Sequence, residues 1–250
     1  MAVYDRIGTT YTAHRRPDPR IAALIRARLG AIGPVLDVGA GAGAYEPDDL
    51  AVVAVEPSVT MIAHRPAGAG PVVRGVAEAL PLASQSCAAG MAVFTVHHWT
   101  DPLAGLAEVR RVVRGPIVVL TWEAEAADRF WLVDDYVPMA KTLDQHTPSP
   151  ERVAEALGGG SIETVPVPSD CIDGFFVAYW ARPEAYLDPS VRACISGLAR
   201  LPAHGVEPGM ARLAGELADG TWHDKYGHLL DHDTYDGGYR LVTSPGSAAP

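Results

Sequence analysis

Short, continuous apolar runs alternate with segments of helical periodicity along the first half of the chain. Apolar residues recur at helical spacing over 19–29 and over 102–113. The continuous runs, typical of strands buried on both faces, cover residues 34–38, 52–56, 71–74, 91–96 and 116–122. This alternation predicts an α/β protein with a parallel sheet and helices on both of its faces.

The carboxyl ends of the predicted strands carry polar and glycine-rich positions. Right-handed crossovers place these ends at one edge of a parallel sheet, and ligands of such sheets bind there. The segment Asp37–Gly43 follows the first strand, Glu56 ends the second, and Thr95–Trp99 lies at the end of the fourth. We therefore expect these three segments to line one cleft.

Beyond Trp122 the pattern becomes less regular and richer in aromatic residues. The tail from Ser244 to Pro250 has the composition of a disordered terminus. Before it, the pattern predicts helix and loop over 123–150, a sixth strand over 161–167, mostly helix over 171–233 and a last strand over 238–242. The helices would form a cap inserted around the last strands.

The composition fits one large domain, or one domain with a cap. Of 250 residues, 48% are apolar and 20% are charged, which excludes disorder as the main state. Asp and Glu number 30 against 20 Lys and Arg, for a formal net charge of −10. This acidic balance disfavours a nucleic-acid partner, because binding to phosphates needs a basic face.

Cysteine spacing and hydropathy bear on the compartment. The three cysteines, Cys87, Cys171 and Cys194, form no C-x-x-C pair, so we expect reduced thiols. No apolar run reaches the ~20 residues that cross a bilayer, and no membrane partner is expected. The first 16 residues lack the apolar stretch of a signal peptide. A cytoplasmic location is therefore expected, and the oligomeric state is left open.

The glycine loop after the first strand indicates a nucleoside ligand. Its sequence is Asp37-Val-Gly39-Ala-Gly41-Ala-Gly43, and Glu56 follows 19 residues after Asp37, where a carboxylate can accept hydrogen bonds from a ribose diol. A tight turn in any α/β protein is the structural alternative. NAD is disfavoured because the eight residues 44–51 are too few for the helix that a pyrophosphate needs.

Four further segments stand in a recognisable order around this loop. They are Tyr4-Asp5-Arg6-Ile7-Gly8 with Tyr11 and Arg16, Val52-Val-Ala-Val-Glu56-Pro-Ser58, Gly75-Val-Ala-Glu78-Ala-Leu-Pro81-Leu, and Val93-Phe-Thr-Val-His97-His98-Trp99. Together with the glycine loop, this order over residues 4–122 resembles the class I S-adenosylmethionine-dependent methyltransferases, in their ubiquinone/menaquinone-biosynthesis-like (type 11) branch.

The resemblance implies a Rossmann-like fold with a mostly parallel seven-stranded sheet, helices on both faces and a helical cap insertion. It divides the chain into parts of distinct role. These are N-terminal lid helices (1–33), a cofactor-binding core (34–122), the sixth strand with the helical cap and acceptor region (123–238), the last strand (239–243) and a disordered tail (244–250).

The resemblance also implies S-adenosylmethionine as the cofactor and a role for individual residues. Gly39, Ala40 and Gly41 would line its methionine part, and Glu56 would hold the ribose. Ala77 and Glu78 would border the adenine, and Thr95 would lie near the sulfonium. Tyr11 and Arg16 would close over the cofactor, with Arg16 pairing its carboxylate. Asp37 and Pro57 complete the cofactor-binding set.

Two departures from the family pattern bear on the cofactor. Val76 replaces the usual adenine-contacting Asp, so Glu78 or backbone groups must recognise the base. The crossover after the first strand is truncated at Tyr45-Glu46-Pro47, which leaves the methionine end more open or covered by another part of the chain.

His97 and His98 are the candidate catalytic residues. Imidazole titrates near neutral pH, so either could take a proton from a hydroxyl or an acidic carbon of the acceptor. The structural alternative is that they shape the loop by packing. Methyl transfer itself needs alignment and exclusion of water rather than a nucleophilic side chain.

The second half of the chain supplies candidates for an acceptor pocket, with the ordinary core of a cap as the alternative. The aromatic candidates are Trp122, Trp131, Tyr136, Phe175, Phe176, Tyr179 and Trp180, beside Asp134, Asp135, Asp170 and Asp173. His223, His228 and His232 lie among carboxylates without a fixed metal-binding spacing, and no metal is expected.

The resulting hypothesis is in-line methyl transfer from S-adenosylmethionine to a small-molecule acceptor. Two alternatives stay open. One is a protein of this fold that keeps the cofactor but catalyses a cyclisation or rearrangement; the other is a non-catalytic nucleoside-binding protein.

Overall fold

A seven-stranded sheet forms the centre of the computed structural model, which describes residues 15–30 and 33–246. The strands are β1 (Val35–Val38), β2 (Val52–Glu56), β3 (Val72–Arg74), β4 (Ala89–Val93), β5 (Ile117–Trp122), β6 (Ser161–Thr164) and β7 (Tyr239–Ser244). Their order across the sheet is β3-β2-β1-β4-β5-β7-β6. The first five strands are parallel, and β7 runs antiparallel to β5 and β6. The predicted Rossmann-like fold is confirmed.

Nine helices are present in the described ranges, several of them a single turn or two. They are α1 (Pro19–Leu29), α2 (Val59–Ala63), α3 (Pro102–Val112), α4 (Ala124–Asp128), α5 (Pro150–Ala156), α6 (Pro189–Cys194), α7 (Ser196–Ala199), α8 (Ala203–Asp219) and α9 (Thr221–Tyr226). The two predicted long helices, α1 and α3, begin where an aspartate side chain caps the first turn and proline follows it.

Two apolar clusters cover the two faces of the sheet. In β5, Val118 and Leu120 join a cluster with α1, whereas Ile117 and Val119 join a second cluster with α3. All four side chains are fully buried. Alternation across a pleated strand explains this split, and burial on both faces explains why the strands read as continuous apolar runs.

The segment that follows α4 and the helices between β6 and β7 form the cap, whose core is continuous with the α1 side of the sheet. Trp131, Trp180, Tyr186 and Trp222 are buried there among other aromatic rings. A short antiparallel ribbon of Val167–Pro168 and Thr234–Tyr235 closes the base of the cap. The helical cap insertion of the predicted fold is therefore present.

The structure corrects the ends of three predicted strands. Strand β4 ends at Val93 rather than at residue 96, because Phe94 adopts a left-handed conformation with φ of 53° and a 3₁₀ turn of Val96–His98 follows. The sixth strand ends at Thr164, and Val167 pairs with the ribbon instead. The last strand extends through Ser244, whose buried hydroxyl donates to the carbonyl of Leu157, so the tail begins later than predicted.

The crossover from β1 to β2 contains turns and no helix over residues 39–51, as the truncated sequence indicates. Of the predicted lid helices (1–33), residues 1–14, which include Tyr11, and residues 31–32 lie outside the described residues. Among the helices of the described ranges, none is both long and apolar enough to cross a membrane. Cys87, Cys171 and Cys194 are buried free thiols.

Candidate functional site

The sheet order reverses between β1 and β4, and a cavity of about 800 Å³ opens at the carboxyl ends of these strands. The three segments predicted to converge do so here. Of the cofactor-binding candidates, those in its wall are Asp37, Gly39, Ala40, Gly41, Glu56, Pro57, Ala77, Glu78 and Thr95. We call this cavity the cleft.

The glycine loop packs directly against the segment that follows β4. Gly39 has a φ of 69°, and a Cβ added there would lie 1.9 Å from the Thr95 hydroxyl oxygen. Thr95 is itself buried, and its hydroxyl accepts a hydrogen bond of 3.2 Å from the Trp99 indole. The absence of a side chain at Gly39 therefore permits both the turn and the close approach of the two cleft walls.

Glu56 ties the end of β2 to the glycine loop. Its carboxylate is 4% exposed and accepts hydrogen bonds of 2.8 Å from the backbone amides of Gly41 and Ser58. The same side chain lines the cleft. A ligand in the cleft would therefore lie beside this carboxylate, whose oxygens are hydrogen-bond acceptors.

The opposite wall of the cleft is formed by the segment after β3. Ala77 is buried there, while Val76 is 48% exposed and also faces the cleft. One carboxylate oxygen of Glu78 accepts hydrogen bonds from the amides of Thr100 and Asp101, at 2.6 and 3.0 Å. Glu78 thereby joins this wall to the start of α3.

Buried charges stabilise the crossover that lacks its helix. Arg65, just past α2, donates two hydrogen bonds to Glu46 at 2.7 and 2.9 Å, and both side chains are at least nine-tenths buried. Asp37 lies nearby, and its burial and the Glu46 carboxylate raise its pKa well above the usual range. Glycine at position 43 leaves room for this pair, since a Cβ there would lie 3.1 Å from the Arg65 guanidinium.

A second buried network joins the crossover to the cap. Asp173 accepts a 2.6 Å hydrogen bond from Arg15 and a 2.8 Å hydrogen bond from the Tyr45 hydroxyl. Arg15 and Tyr45 both line the cleft. Arg16, the predicted partner of a ligand carboxylate, is exposed and lies outside the cleft wall. The sequence leaves open whether the end of the cleft at the truncated crossover is more exposed or covered by another part of the chain, and Tyr45 and Arg15 lie in the cleft wall.

A second cavity, of about 340 Å³, lies between the sheet edge and the cap. Trp122, Phe175 and Phe176 line it, as the acceptor-pocket hypothesis requires, and Arg15 and Phe94 line both cavities. The remaining predicted aromatics, Trp131, Tyr136, Tyr179 and Trp180, pack within the cap core instead. Of the acids, Asp173 is buried at the boundary, whereas Asp134 and Asp170 form exposed ion pairs and Asp135 bonds Tyr226.

The two candidate catalytic histidines face different cavities. His98 lines the cleft, and His97, which is 6% exposed, lines the second cavity. Their ring centroids are 3.6 Å apart. Burial lowers the pKa of His97 well below its usual range and that of His98 to about 4. Both rings are therefore uncharged at neutral pH and able to accept a hydrogen bond.

Sequence reasoning missed Arg15, Tyr45 and Phe94 as parts of the site. The residues that bring them there are distant in the chain, since Asp173 lies 158 residues after Arg15. The left-handed φ of Phe94 could not be predicted from the sequence, because glycine and asparagine are the residues that usually adopt this conformation. Within residues 15–30 and 33–246, no group of three or more potential ligands is arranged to hold a metal ion.

Comparison with known proteins gives the following matches. A family model described as a methyltransferase domain matches residues 36–120. A solved structure from Anabaena variabilis, described as a candidate methyltransferase from an antibiotic biosynthesis pathway, is 31% identical, with a TM-score of 0.87 over 92% of this chain and 98% of that chain. A comparison with curated protein sequences gives no significant match.

Two more distant structures share the fold. A Thermotoga maritima protein described as an S-adenosylmethionine-dependent methyltransferase is 21% identical, with a TM-score of 0.51 over 65% of this chain and 83% of that chain. The cyclase SpnF is 17% identical, with a TM-score of 0.55 over 98% of this chain and 95% of that chain.

Proposed function

The chain belongs to the S-adenosylmethionine-dependent methyltransferases, and we propose that it methylates a small molecule held in the second cavity. The observation that carries this proposal is the shared wall of the two cavities, to which Arg15 and Phe94 both contribute. A donor in the cleft and an acceptor in the cap would meet at that wall. The Anabaena variabilis relative, with its antibiotic-pathway description, supports a small-molecule acceptor. The net charge of −10 supports the absence of a nucleic-acid partner.

The residues of the cleft fit the cofactor of this family. The side-chain-free turn at Gly39 and Gly41 allows a ligand to approach the backbone, and the Glu56 carboxylate lines the cleft where ribose hydroxyls would donate hydrogen bonds to it. We assign the carboxylate of the cofactor to Arg15 rather than Arg16, because the Arg15 guanidinium lines the cleft. Ala77 and Glu78 border the region proposed for the adenine, with Val76 beside them.

The chemistry asks little of the chain beyond placement. When bound, the sulfonium supplies an electrophilic methyl group. Phe94 and Arg15, which line both cavities, would orient the acceptor and the cofactor toward each other where the cavities meet, and alignment of this kind can account for several kcal/mol of a barrier. Tyr45, which lines the cleft and is held by its hydrogen bond to Asp173, would help to exclude water. His97 or His98 would accept a proton from the acceptor.

The proposed ribose contact is tested by Glu56→Gln. We expect this change to weaken S-adenosylhomocysteine binding by about 1–3 kcal/mol, because hydrogen bonds to a charged acceptor are lost. Isothermal titration calorimetry measures the affinity, and Glu184→Gln, at an exposed position, is the control. Equal affinities in the wild type and Glu56→Gln would contradict the assignment.

Product mass tests the reaction itself. Incubation with S-adenosylmethionine and candidate acceptors should give products heavier by one methylene group, together with S-adenosylhomocysteine. A product of unchanged mass formed without S-adenosylhomocysteine would support the cyclisation alternative. Tight cofactor binding without turnover across an acceptor library would support a non-catalytic nucleoside-binding protein.

A further inference from the structure

The second cavity contains a buried polar group without a protein partner. His97 is 6% exposed, and within the described residues no hydrogen bond engages either of its ring nitrogens. Its ring instead contacts the rings of His98 and Trp122, at centroid distances of 3.6 and 4.3 Å. A buried polar side chain without a partner is costly unless a ligand or water satisfies it. His97 is therefore placed to bind a polar group of a ligand.

The rest of the cavity wall is mostly aromatic and aliphatic. Trp122, Phe175 and Phe176 face it, together with Phe94 and Tyr239. Its volume of about 340 Å³ lies near the lower end of the range of pockets that hold small organic ligands. These dimensions and side chains suit a compact ring system rather than a long chain or a sugar.

The charged side chains around the cavity determine which polar group on a bound ring system would be favoured. The cations in the wall are Arg15, Lys141 and Arg200, and their carboxylate partners are Asp173, Asp134 and Asp144. Asp128 also lies in the wall, with His98 and His146 close to His97.

The end of the cavity at His97 lies near two arginines, each of which is paired with a carboxylate. Arg200 and Arg15 both act on His97 to disfavour a further positive charge, whereas Asp128 acts on Lys141. An ammonium group at His97 would be repelled by both arginines. A hydroxyl that shares or releases its proton would be favoured by them, because its developing negative charge lies near two guanidinium groups.

We propose that the second cavity binds an apolar ring compound through an acidic hydroxyl group, a phenol or an enol, which donates a hydrogen bond to His97 and is the methyl acceptor. This inference rests on the proposed function and specifies its substrate class. A bond forms between the hydroxyl oxygen and the methyl carbon as the carbon–sulfur bond breaks with its electron pair staying on sulfur. The hydroxyl proton passes to the uncharged His97 ring, and the positive charge that His97 gains is offset by the loss of the sulfonium charge in the same step. Alkylation makes the oxygen far more acidic, so a weakly basic imidazole suffices.

Binding of three matched probes tests the recognition without turnover. 1-Naphthol, 1-naphthylmethylamine, which carries an ammonium group at neutral pH, and naphthalene differ at one substituent and are titrated calorimetrically into the protein saturated with S-adenosylhomocysteine. We expect 1-naphthol to bind at least tenfold more tightly than the other two. Equal affinities, or a preference for the amine, would overturn the proposal.

Substitution of His97 tests whether the ring nitrogen is responsible. His97→Phe keeps an aromatic ring against Trp122 and removes the acceptor, so it should lower the 1-naphthol affinity to that of naphthalene. His97→Gln should restore part of it, and His204→Gln, at an exposed position, should leave it unchanged. An unaltered preference for 1-naphthol in His97→Phe would overturn the proposal.

A variant that fills the second cavity with a larger side chain tests the location of the site independently of His97. Ala127 lines the second cavity and not the cleft. Ala127→Phe should lose 1-naphthol binding at least tenfold and keep S-adenosylhomocysteine binding within twofold of the wild type, whereas Ala211→Phe, on the exposed side of α8, should keep both. Retained 1-naphthol binding in Ala127→Phe would overturn the proposal.

Two other outcomes separate this proposal from the proposed function. Failure of the wild type to bind S-adenosylhomocysteine would overturn the proposed function, whereas methylation of amines but not phenols would overturn the substrate class alone.

Discussion

Gly39 shows how one missing side chain holds the cleft open. Gly39→Ala would lower the free energy of unfolding in two ways. Alanine at the left-handed φ of 69° costs about 1 kcal/mol. Its Cβ would also lie 1.9 Å from the Thr95 hydroxyl oxygen, which costs about 1–3 kcal/mol more. We expect Gly39→Ala to lower the free energy of unfolding by about 3 kcal/mol and to weaken S-adenosylhomocysteine binding. Urea denaturation and calorimetry measure the two effects.

Gly68 is the matched control for this prediction. It has a φ of 94°, with nothing within 4 Å of an added Cβ. Gly68→Ala should therefore lose about 1 kcal/mol, from backbone strain alone, and keep its cofactor affinity. Equal losses in the two variants would show that the contact between Gly39 and Thr95 is unimportant.

Site residues were predictable where a general rule of the fold places them. Asp37, Gly39 and Glu56 follow from the rule that parallel strands present ligand-binding residues at their carboxyl ends. Arg15 and Arg16 are adjacent in sequence and chemically identical, so the chain alone cannot show which one turns inward. In the structure, Arg15 turns inward because its guanidinium pairs with the carboxylate of Asp173, which is 1% exposed.

Asp173 lies in the segment that follows the ribbon, and its hydrogen bonds to Arg15 and Tyr45 join the cap to the wall of the cleft. Asp173→Asn would leave the guanidinium of Arg15 buried without its counter-charge, and we expect a loss of about 3 kcal/mol in the free energy of unfolding. Asp170→Asn, in the same segment, removes an exposed ion pair and should cost less than about 1 kcal/mol. Urea denaturation compares the two. Losses of equal size would contradict a structural role for the Asp173 network.

Elements buried on both faces were predicted more accurately than those of the cap. Strand β5 and helix α3 have apolar patterns that leave one interpretation, and the structure reproduces both within a residue or two. The end of β4 was misplaced, because the apolar sequence continues past Val93 while the backbone turns at Phe94. The short cap helices owe their positions to tertiary packing rather than to their own periodicity.

The whole molecule joins an ordinary cofactor-binding sheet to a cap that determines what the sheet can act on. The core of the cap is continuous with the α1 side of the sheet, so the second cavity is part of one packed body. The sequence predicts the sheet, the cleft and the family. It offers Trp122, Phe175 and Phe176 as candidates for an acceptor pocket but does not separate them from the candidates that pack in the cap core, because Trp122, Phe94 and Phe175 meet only after distant segments pack together.

The buried histidines make the stability of the molecule depend on pH. The pKa of His98 is lowered to about 4, mainly by burial, whereas an unfolded histidine has a pKa near ~6.5. Between these values the unfolded chain binds a proton that the folded chain does not. The free energy of unfolding therefore falls as the pH drops from about 6.5 toward 4, and His97 adds a change of the same sign. Asp37 acts in the opposite direction, because its raised pKa lets the folded chain bind a proton first.

Because these contributions partly cancel, the prediction concerns the difference between variants. His98→Gln removes one titrating group, so its loss of stability from pH 7 to pH 5 should be smaller than that of the wild type by about 1–2 kcal/mol. Urea denaturation at the two pH values measures this difference, with His204→Gln, at an exposed position, expected to behave as the wild type. A loss in His98→Gln as large as in the wild type would show that His98 is protonated as readily in the folded chain as in the unfolded one.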